Sequence, residues 1–563
     1  MRRSEAMDFD SLSKTQREIV FSKEPHLLVW AGPGSGKTRV LSFRYARLVR
    51  DGVSPESILA ITFTNRAAVE MKTRIAALLS LDCPASVRNV GTFHGFCLRL
   101  LKKKRSFTLI SRPEQTKLLR GLGIKNAEKA VEDISTFKNL SFPDAGIQRP
   151  QALGPYEEEL RKRNFLDLDD LIIKAAALLS EEPEFHPGFA HVLVDEFQDI
   201  NPPQSELLGL LVNPTGRGGA DLFAIGDPDQ SIYSFRGASI KRFLNFRKDY
   251  PGASLMGLEA NYRSAAVIVR AAASLIGKNP MEGFRRVMKE VRRPEEGETI
   301  EAVCLADERR EAEFIIKEVE RLMGGLTSLT VGRGCGGRRF SDFAVFFRTN
   351  RQREAIAGAF RGSSIPYICA RNPDEFPEII EHLKGIKADG AQGNINPCDF
   401  IRKEAKALGL DEGLASTLTF LAGSFGPDIG LNPFLSAFIE SLILMQPQDT
   451  CAVEADRVQV MTLHAAKGLE FPVVFIAGCE DGLIPLKSNE DVEEERRLFY
   501  VGITRAKEKL YLLNSGKRCI FGSAREQRKS PFLDELPEGC LRYSAFAKER
   551  PKRRPRQKGL FEG

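Results

Sequence analysis

A glycine-rich turn near the start of the chain carries the residue types that bind phosphate. The apolar run at 27–30 ends in the octapeptide AGPGSGKT, residues 31–38, and an amphipathic helical pattern follows. Glycines let the backbone point successive N–H groups at phosphate oxygens, and the helix N-terminus adds a favourable dipole. Lys37 can reach the β- and γ-phosphates, and the hydroxyl of Thr38 suits Mg²⁺. The pattern predicts a nucleoside-triphosphate site, with Ala31 in place of the usual glycine.

An acidic pair at the end of an apolar strand pattern is the expected partner of this turn. The segment VLVDEFQD, residues 192–199, would bring Asp195 and Glu196 to the edge of a parallel sheet, where ligands bind. Asp195 suits Mg²⁺ binding, and Glu196 suits orienting and deprotonating the attacking water. A DE pair alone is also common in solubilising turns, but together with a phosphate loop it favours the catalytic interpretation.

The elements around these motifs alternate between apolar strand patterns and amphipathic helix patterns. Such alternation predicts an α/β fold with doubly wound parallel sheets. Two stretches interrupt it, one rich in Lys and Arg and one punctuated by Gly and Pro, and both are helical in pattern. We therefore predict a first core at 1–97 and 166–257 with a helical insertion at 98–165, a second core at 258–375 and 455–540 with a smaller helical insertion at 376–454, and a basic disordered tail at 541–563.

The composition is that of a globular protein with several domains. The 563 residues are 42% apolar and 28% charged, and the net charge of +7 is too modest to identify a nucleic-acid partner. No apolar run approaches the roughly 20 residues that span a bilayer, and no signal peptide follows the basic start, where Met7 is an alternative first residue. None of the ten cysteines forms a C-x-x-C pair, so we expect reduced thiols in a cytoplasmic protein rather than a zinc or iron–sulfur site.

A series of sequence blocks occurs in the order typical of one helicase family. The blocks are TQRE around Gln16, AGPGSGKTRVL, TFTNRAAVEMKTR, GTFHGF, VDEFQD, GDPDQSIYSFRGA, LEANYRS, VMTLHAAKGLEFPVVFIAG and EEERRLFYVGITRAKEKL. In these blocks the chain resembles the UvrD/Rep-type DNA helicases of superfamily 1. The resemblance implies two RecA-like parallel-sheet cores of the P-loop NTPase class, the use of ATP and Mg²⁺, and ATP hydrolysis that DNA stimulates.

The resemblance also assigns roles in the nucleotide site. Gln230 would sense the γ-phosphate, and Arg263 and Arg505 would reach it as arginine fingers from the second core. Tyr262 and Arg39 would enclose the adenine, and Glu470 would bind the ribose. The implied catalytic residues are Lys37, Asp195, Glu196, Gln230, Arg263 and Arg505, with Mg²⁺ held by Thr38 and Asp195. The implied nucleotide contacts are Gln16, Ala31, Gly32, Pro33, Gly34, Ser35, Gly36, Lys37, Thr38, Arg39, Tyr262 and Glu470.

Stacking platforms and phosphate contacts on the two cores are expected to hold a single DNA strand. The residues that the resemblance implies are Phe63, Asn65, His94, Tyr233, Phe235, Arg348, Asn350 and His464. Family members often carry tryptophan at the position of Phe235, so we expect a somewhat weaker grip there. ATP binding would close the cleft between the cores and hydrolysis would reopen it, which would ratchet the protein along the strand.

The chain departs from the family in its second insertion and in its tail. The interval 376–454 is short where relatives carry a large domain, and ICARNPDEF replaces a glycine-rich block of the family. We therefore expect translocation on single strands to be a firmer property than processive unwinding. Gln557, Leu560 and Phe561 form a Q-x-x-L-F pattern that resembles peptides docking on bacterial sliding clamps. The alternative is a plain solvated tail.

The predicted function is that of an ATP-dependent translocase or helicase. It would act on single-stranded DNA and on junctions of single and double strands, moving 3′ to 5′ in DNA repair or replication restart. We expect it in the cytoplasm, associated with the nucleoid. Two alternatives stay open: a translocase that displaces proteins without separating strands, and a non-catalytic, clamp-recruited DNA-binding adaptor. The complete set of implied catalytic residues disfavours the adaptor.

Overall fold

A computed structural model gives the structure of residues 9–545 except 82, 141–147, 214–218, 282–287, 293–298, 325–336, 371–376, 387–393, 411, 427–428, 451–455, 490 and 521–522. The described part of the chain is built on two large parallel sheets, with helices on their faces. The predicted fold class, two parallel-sheet cores with helical insertions, is confirmed. The predicted clamp-docking residues lie outside the described residues.

The strands are β1 His26–Ala31, β2 Ile58–Thr62, β3 Val90–Thr92, β4 Thr108–Leu109, β5 Phe165–Leu166, β6 His191–Val194, β7 Asp221–Gly226, β8 Ser254–Leu258, β9 Ala260–Asn261, β10 Lys289–Glu290, β11 Ile300–Leu305, β12 Phe343–Phe347, β13 Tyr367–Cys369, β14 Asn394–Ile395, β15 Ile429–Gly430, β16 Val458–Thr462, β17 Phe471–Ile476, β18 Ala506–Ser515, β19 Lys517–Ile520, β20 Ser523–Glu526 and β21 Leu541–Ala545. The helices are α1 Lys14–Phe21, α2 Lys37–Arg50, α3 Asn65–Leu78, α4 Phe93–Lys104, α5 Arg112–Gly121, α6 Ala127–Leu140, α7 Leu153–Arg163, α8 Leu168–Glu181, α9 Pro202–Val212, α10 Ile240–Leu244, α11 Phe246–Asp249, α12 Ala266–Ile276, α13 Glu308–Leu322, α14 Arg351–Arg361, α15 Pro377–Gly385, α16 Pro397–Ala407, α17 Glu412–Ala422, α18 Leu431–Ile443 and α19 Val492–Ile503.

The first sheet has six parallel strands in the order β3-β2-β6-β7-β1-β8. Successive residues of a strand face opposite sides, so Leu27 and Leu28 of β1 enter different apolar clusters. Helices α1, α2 and α3 cover one face, while α4, α8 and α9 cover the other. Because both faces are covered, the strands are apolar almost throughout, which is why the sequence pattern revealed them.

The second sheet has seven parallel strands in the order β13-β16-β12-β17-β18-β11-β21. Helices α12 and α19 pack on one face, and α13 and α14 pack on the other. The sequence predicted that the tail begins at residue 541, but Leu541–Ala545 is the edge strand β21, paired with β11. Its side chains are mostly exposed, so the apolar pattern that marks a central strand is missing here.

The first insertion is smaller than predicted, because residues 98–104 complete α4 and pack on the core. Helices α5, α6 and α7 form a separate apolar cluster. A buried lysine fastens this cluster to α8: Nζ of Lys138 lies 2.7 Å from Oδ2 of Asp167 and 2.9 Å from Oδ1 of Asp170. The hydroxyl of Tyr156 donates to Asp167 at 3.0 Å. The insertion is thus held at its base by a satisfied network of buried charges.

The second insertion, α15 to α18, packs against the first core rather than standing apart from it. Its apolar residues, among them Phe434 and Phe438, belong to the same buried cluster as one face of the first sheet. Ion pairs join it to the first half of the chain, from Lys384 to Glu114 at 2.5 Å and between Lys102 and Glu440. Among the described helices, none is long and apolar enough to cross a bilayer.

Candidate functional site

The phosphate loop occupies residues 32–36, between the end of β1 and the start of α2. Gly34 and Gly36 have φ angles of +69° and +88°, a conformation that glycine adopts without strain. A Cβ atom on Gly34 would lie 2.6 Å from Cβ of Arg263, so this glycine also allows a close approach from the segment after β9. Ala31 is the last, buried residue of β1, where its small side chain fits the apolar cluster. The departure from the usual glycine therefore lies in the strand and leaves the loop unchanged.

Two carboxylates follow β6 at the same edge of the sheet. Oδ2 of Asp195 lies 3.4 Å from the Thr38 hydroxyl, at the start of α2. Glu196 has a φ of +51°, which is rare for a residue with a side chain and costs about 1–3 kcal/mol. Nε2 of Gln198 donates to Glu196 at 2.6 Å, and Oε1 of Gln198 accepts from the main chain of Asp227 at 2.9 Å. These bonds hold Glu196 in its strained position facing the loop.

Burial and the nearby cations separate the acidities of the two neighbouring carboxyl groups. Burial raises the pKa of Asp195 to about 7, and the adjacent Glu196 carboxylate adds to the rise. Burial would also raise the pKa of Glu196, but Lys37, Lys467 and the bond from Gln198 lower it to about 2. Glu196 is therefore ionised, while Asp195 binds its proton more firmly until a cation replaces it.

The second core reaches the same pocket with two arginines. The guanidinium of Arg505, which follows α19, lies 3.2 Å from Oε1 of Gln230, which follows β7 of the first core. Nε of Arg263 pairs with Glu470 at 2.6 Å. Burial lowers the pKa of Arg505 to about 9, and the neighbouring charge of Arg263 adds to the fall, while Glu196 and Glu470 oppose it. Both guanidinium groups therefore belong to the pocket that also contains the phosphate loop and Lys37.

The remaining predicted nucleotide contacts lie around the mouth of the same cleft. Nε2 of Gln16 donates to the main-chain oxygen of Ser35 at 2.9 Å, so Gln16 also supports the phosphate loop. The Arg39 guanidinium binds the hydroxyl of Ser11 at 2.6 Å, and the ring of Tyr262 is 46% exposed. Arg39, Tyr262 and Glu470 all line a cleft of about 660 Å³ that opens between the cores. The structure thus brings the predicted nucleotide residues together.

The residues present fit a magnesium nucleotide. The left-handed Gly34 and Gly36 shape a cradle for phosphate, and the lysine at the start of α2 lies beside it. Oxygen ligands are what Mg²⁺ prefers, and the hydroxyl of Thr38 and the carboxylate of Asp195 supply two adjacent oxygens. Thr38 and Asp195 would therefore hold the metal, and Lys37 would bind the phosphates.

Sequence reasoning missed a lysine that joins the nucleotide pocket to the aromatic residues. Nζ of Lys467 lies 2.5 Å from Oδ2 of Asp199 and 2.5 Å from the main-chain oxygen of Gln230. The same ammonium group lies 5.1 Å from the ring centre of Tyr233. Lys467 is buried and belongs to the second core, whereas its partners belong to the first. The only available signal was its position inside an otherwise apolar block, HAAKGLEF.

Four of the predicted DNA-facing side chains form a continuous ladder of rings that spans both cores. Phe63 stacks on Tyr233 with ring centres 5.4 Å apart and planes inclined by 16°. Tyr233 meets Phe235 edge-on at 5.9 Å, and Phe235 meets His464 at 6.0 Å. Only Phe235 exposes most of its ring, at 57%, because Phe63 and Lys467 cover Tyr233. Phe235 is therefore the open stacking surface of the ladder.

Three of the other four predicted DNA contacts, Arg348, Asn65 and Asn350, are engaged differently. Arg348 forms an ion pair with the buried Glu495, with NH2 and Oε1 2.6 Å apart. Nδ2 of Asn65 donates to the main-chain oxygen of Leu444 in the second insertion at 3.2 Å. Asn350 is exposed at the start of α14 and lies outside the ladder. The assignment of these three residues to DNA stays a prediction.

Sequence comparison matches both halves of the chain to profiles of one helicase family. Residues 12–134 and 124–251 match the UvrD/REP helicase N-terminal domain, and residues 256–384 and 406–516 match the UvrD-like helicase C-terminal domain. The chain belongs to the UvrD/REP helicase family. The prediction of this family from its sequence blocks, and of an enzyme of the helicase class, is confirmed.

Similar proteins of this family come from several bacteria. The ATP-dependent DNA helicase PcrA of Staphylococcus epidermidis is 31% identical over 674 aligned positions, which cover 96% of this chain and 89% of that protein. PcrA of Leuconostoc citreum is 32% identical, covering 97% of this chain and 87% of its own length. These UvrD/REP relatives carry residues that this chain lacks, since the alignments are longer than its 563 residues. The C-terminal profile is interrupted between 384 and 406, inside the second insertion.

The two predicted DNA-facing histidines are expected to give no pH response in DNA binding. Burial lowers the pKa of His464 to about 3 and that of His94 to about 4, and nearby arginines add to both shifts. Both rings are therefore neutral from about pH 6 to pH 8, so they add no charge to a phosphate contact in that range. Single-strand affinity measured by fluorescence anisotropy at constant ionic strength should show no histidine titration. An affinity gain on acidification that His464→Gln abolishes would contradict this expectation.

Proposed function

We propose that the protein is an ATP-dependent DNA translocase and helicase that moves 3′ to 5′ along single-stranded DNA. Similar proteins are named ATP-dependent DNA helicases. One observation carries the proposal: Arg505 of the second core contacts Gln230 of the first, beside the phosphate loop. A nucleotide in this cleft would touch both cores, and the ring ladder also spans both. Opening and closing of the cleft can therefore change the spacing of groups that hold the strand.

ATP is the proposed substrate, with its phosphates bound by the loop at 32–36 and by Lys37. Arg263 and Arg505 would stabilise the charge that spreads over the transferred phosphoryl group. When bound, Mg²⁺ would neutralise phosphate charge and help the leaving group depart. The predicted adenine and ribose contacts, Tyr262 and Glu470, are proposed to hold the nucleoside at the mouth of the cleft.

Glu196 is the proposed group that orients the attacking water and accepts its proton. Burial opposes ionisation of this carboxyl, but Lys37 and the other surrounding cations hold its pKa at about 2. Phosphate oxygens of a bound nucleotide would compete for Lys37 and Arg505, which would weaken the hold of these cations on the Glu196 carboxylate.

Substitution of either central residue should stop ATP hydrolysis and spare DNA binding. Lys37→Ala removes the phosphate-binding ammonium group, and Glu196→Gln removes the proton acceptor while keeping its shape. We expect DNA-stimulated turnover to fall by about 100-fold or more in each variant. ATP turnover is measured in a coupled-enzyme assay with and without single-stranded DNA, and DNA binding is measured by fluorescence anisotropy.

Two exposed neighbours in the turn before β1 provide matched controls for these variants. Lys23→Ala and Glu24→Gln repeat the same chemical changes away from the cleft, and both should behave like the parent protein. Normal turnover in Lys37→Ala or Glu196→Gln would contradict the assigned roles. Absence of turnover in the parent protein would favour the non-catalytic adaptor instead.

Strand separation and protein displacement are distinguished by substrates with a single-stranded tail at one end. We expect a 3′-tailed duplex to support movement and a 5′-tailed duplex to fail, because the proposed movement runs 3′ to 5′. Streptavidin displacement from a biotinylated single strand is measured beside unwinding of the duplex. Displacement without unwinding would favour a translocase that only removes proteins from DNA. The shortened second insertion makes this alternative a serious one, because relatives carry a large domain there. Activity only on the duplex with a 5′ tail would overturn the proposed 3′-to-5′ direction of movement.

A sliding clamp is the proposed recruiting partner, through Gln557, Leu560 and Phe561. A glutamine and two apolar side chains on a basic tether suit a hydrophobic pocket. The clamp as a partner is proposed from the pattern of the tail. A role in DNA repair or replication restart, at the nucleoid in the cytoplasm, is proposed from the resemblance to the helicase family. Deletion of the last seven residues should abolish clamp binding in surface plasmon resonance and leave ATP turnover unchanged. Equal clamp affinity before and after deletion would end the idea.

A further inference from the structure

The loop that carries the aromatic ladder is fastened to the second core, although it follows β7 of the first core in the chain. Oε1 of Glu494, in the first turn of α19, accepts from the main-chain N–H of Ser234 at 2.9 Å. Its other oxygen, Oε2, accepts from the hydroxyl of Ser234. Glu494 is buried, with 7% of its surface exposed, whereas Ser234 lies at the surface, so both bonds are partly buried. One carboxylate thus holds the residue that separates Tyr233 from Phe235.

A second bond and apolar packing fix the other end of the same loop. Nε of Arg497, one turn further along α19, donates to the main-chain oxygen of Ser231 at 2.9 Å. Ile232, Tyr233 and Ala238 are buried in the apolar cluster of the second core. The loop therefore packs mainly against the second core, although Tyr233 also stacks on Phe63 of the first core and the Ser231 hydroxyl donates to the main-chain oxygen of Gln198 at 3.3 Å.

The same helix also carries the contact with the nucleotide pocket. Arg505, two residues beyond the end of α19, reaches Gln230, which directly precedes the loop. Asn279 of the second core fixes the near end of the helix, because its Nδ2 donates to the main-chain oxygen of Glu493 at 2.9 Å. From Glu494 to Ile503 the helix rises about 14 Å. A rigid helix therefore joins the predicted γ-phosphate contact at one end to the DNA-stacking loop at the other.

We propose that Glu494 is a positioning residue that fixes the Tyr233–Phe235 loop to α19, so that the stacking surface moves with the second core when the cleft opens or closes. The inference deepens the proposed function and rests on it. Hydrogen bonds to a buried carboxylate are stronger than those between neutral groups. Without Glu494, the Ser234 N–H loses its partner, and the loop is free to follow the first core instead. DNA binding then loses its alignment with the nucleotide cycle.

Removal of the carboxylate should weaken the response to DNA more than the chemistry of hydrolysis. In Glu494→Ala we expect the single-stranded DNA concentration for half-maximal ATPase stimulation to rise about ten-fold, with turnover at saturating DNA retained. Glu494→Gln keeps an oxygen that can accept from Ser234 N–H, so it should raise this concentration only about three-fold. Glu24→Gln makes the same chemical change at an exposed side chain before β1, away from the loop, and as the matched control it should leave this concentration unchanged.

A double-mutant cycle separates positioning from general loosening of the fold. Ser234→Ala removes the hydroxyl that bonds Glu494, and its effect should disappear in the Glu494→Ala background, because the two act through one contact. Additive effects, or an unchanged half-activating concentration in Glu494→Ala, would overturn the proposal. Nucleotide-free DNA affinity is measured on the same proteins by anisotropy. If DNA did not stimulate ATP hydrolysis by the parent protein, the proposed function would be overturned. The double-mutant cycle could then be evaluated on DNA affinity, which would still decide the role of Glu494.

Discussion

A buried lysine that bonds across the two cores is the interaction on which the arrangement of the cleft depends. Lys467 of the second core places its ammonium group against Asp199 and the main chain of Gln230, both in the first core. Burial of an ion pair gives little net stability, but loss of one partner leaves the other charge buried, at a cost of about 3–5 kcal/mol. The pair therefore helps to fix the relative position of the two cores, because only an arrangement that brings the two groups together pairs both charges. The same ammonium group lies over Tyr233, which stacks on Phe63 of the first core, so a movement that changes the cleft also disturbs the ladder.

The order of the strands explains why the nucleotide pocket forms between the cores. In the first sheet the functional residues follow the strands, with the loop after β1 and Asp195 after β6. In the second sheet Glu470 and Arg505 come directly before β17 and β18. The main-chain N–H of Phe471 bonds to the oxygen of Arg505 at 2.9 Å, which keeps the starts of these strands side by side. The carboxyl edge of the first sheet therefore faces the amino edge of the second. The first edge carries the phosphate loop and Asp195, and the second edge carries Glu470 and Arg505.

The sequence was most informative where a few consecutive residues determine a local shape. Gly34, Gly36 and Lys37 belong to one short loop, and the alternation of strand and helix patterns revealed both sheets because buried parallel strands are apolar on both faces. The exposed edge strand β21 lacked that pattern and was missed. The stacking of Phe63 on Tyr233 was beyond prediction, since it depends on how loops more than a hundred residues apart in the chain pack against each other. Lys467 was missed for the same reason.

The reduced second insertion has a consequence for the strand-binding face that follows from hydrogen-bond capacity alone. At the start of α3, the N–H of Arg66 donates to Oδ1 of Asp449 at 2.8 Å, and Asn65 donates to Leu444. Asp449 is buried and also accepts from the N–H of Gln446 at 2.9 Å, so the turn at 446–449 is well ordered by its own bonds. A helix N-terminus attracts either a carboxylate or a phosphate. Because one N–H makes one strong hydrogen bond at a time, a DNA phosphate could take this place only after Asp449 leaves it. A phosphate contact at the Arg66 N–H would thus require the second insertion to shift, and the packing of this insertion on the first core would set the free energy of that shift.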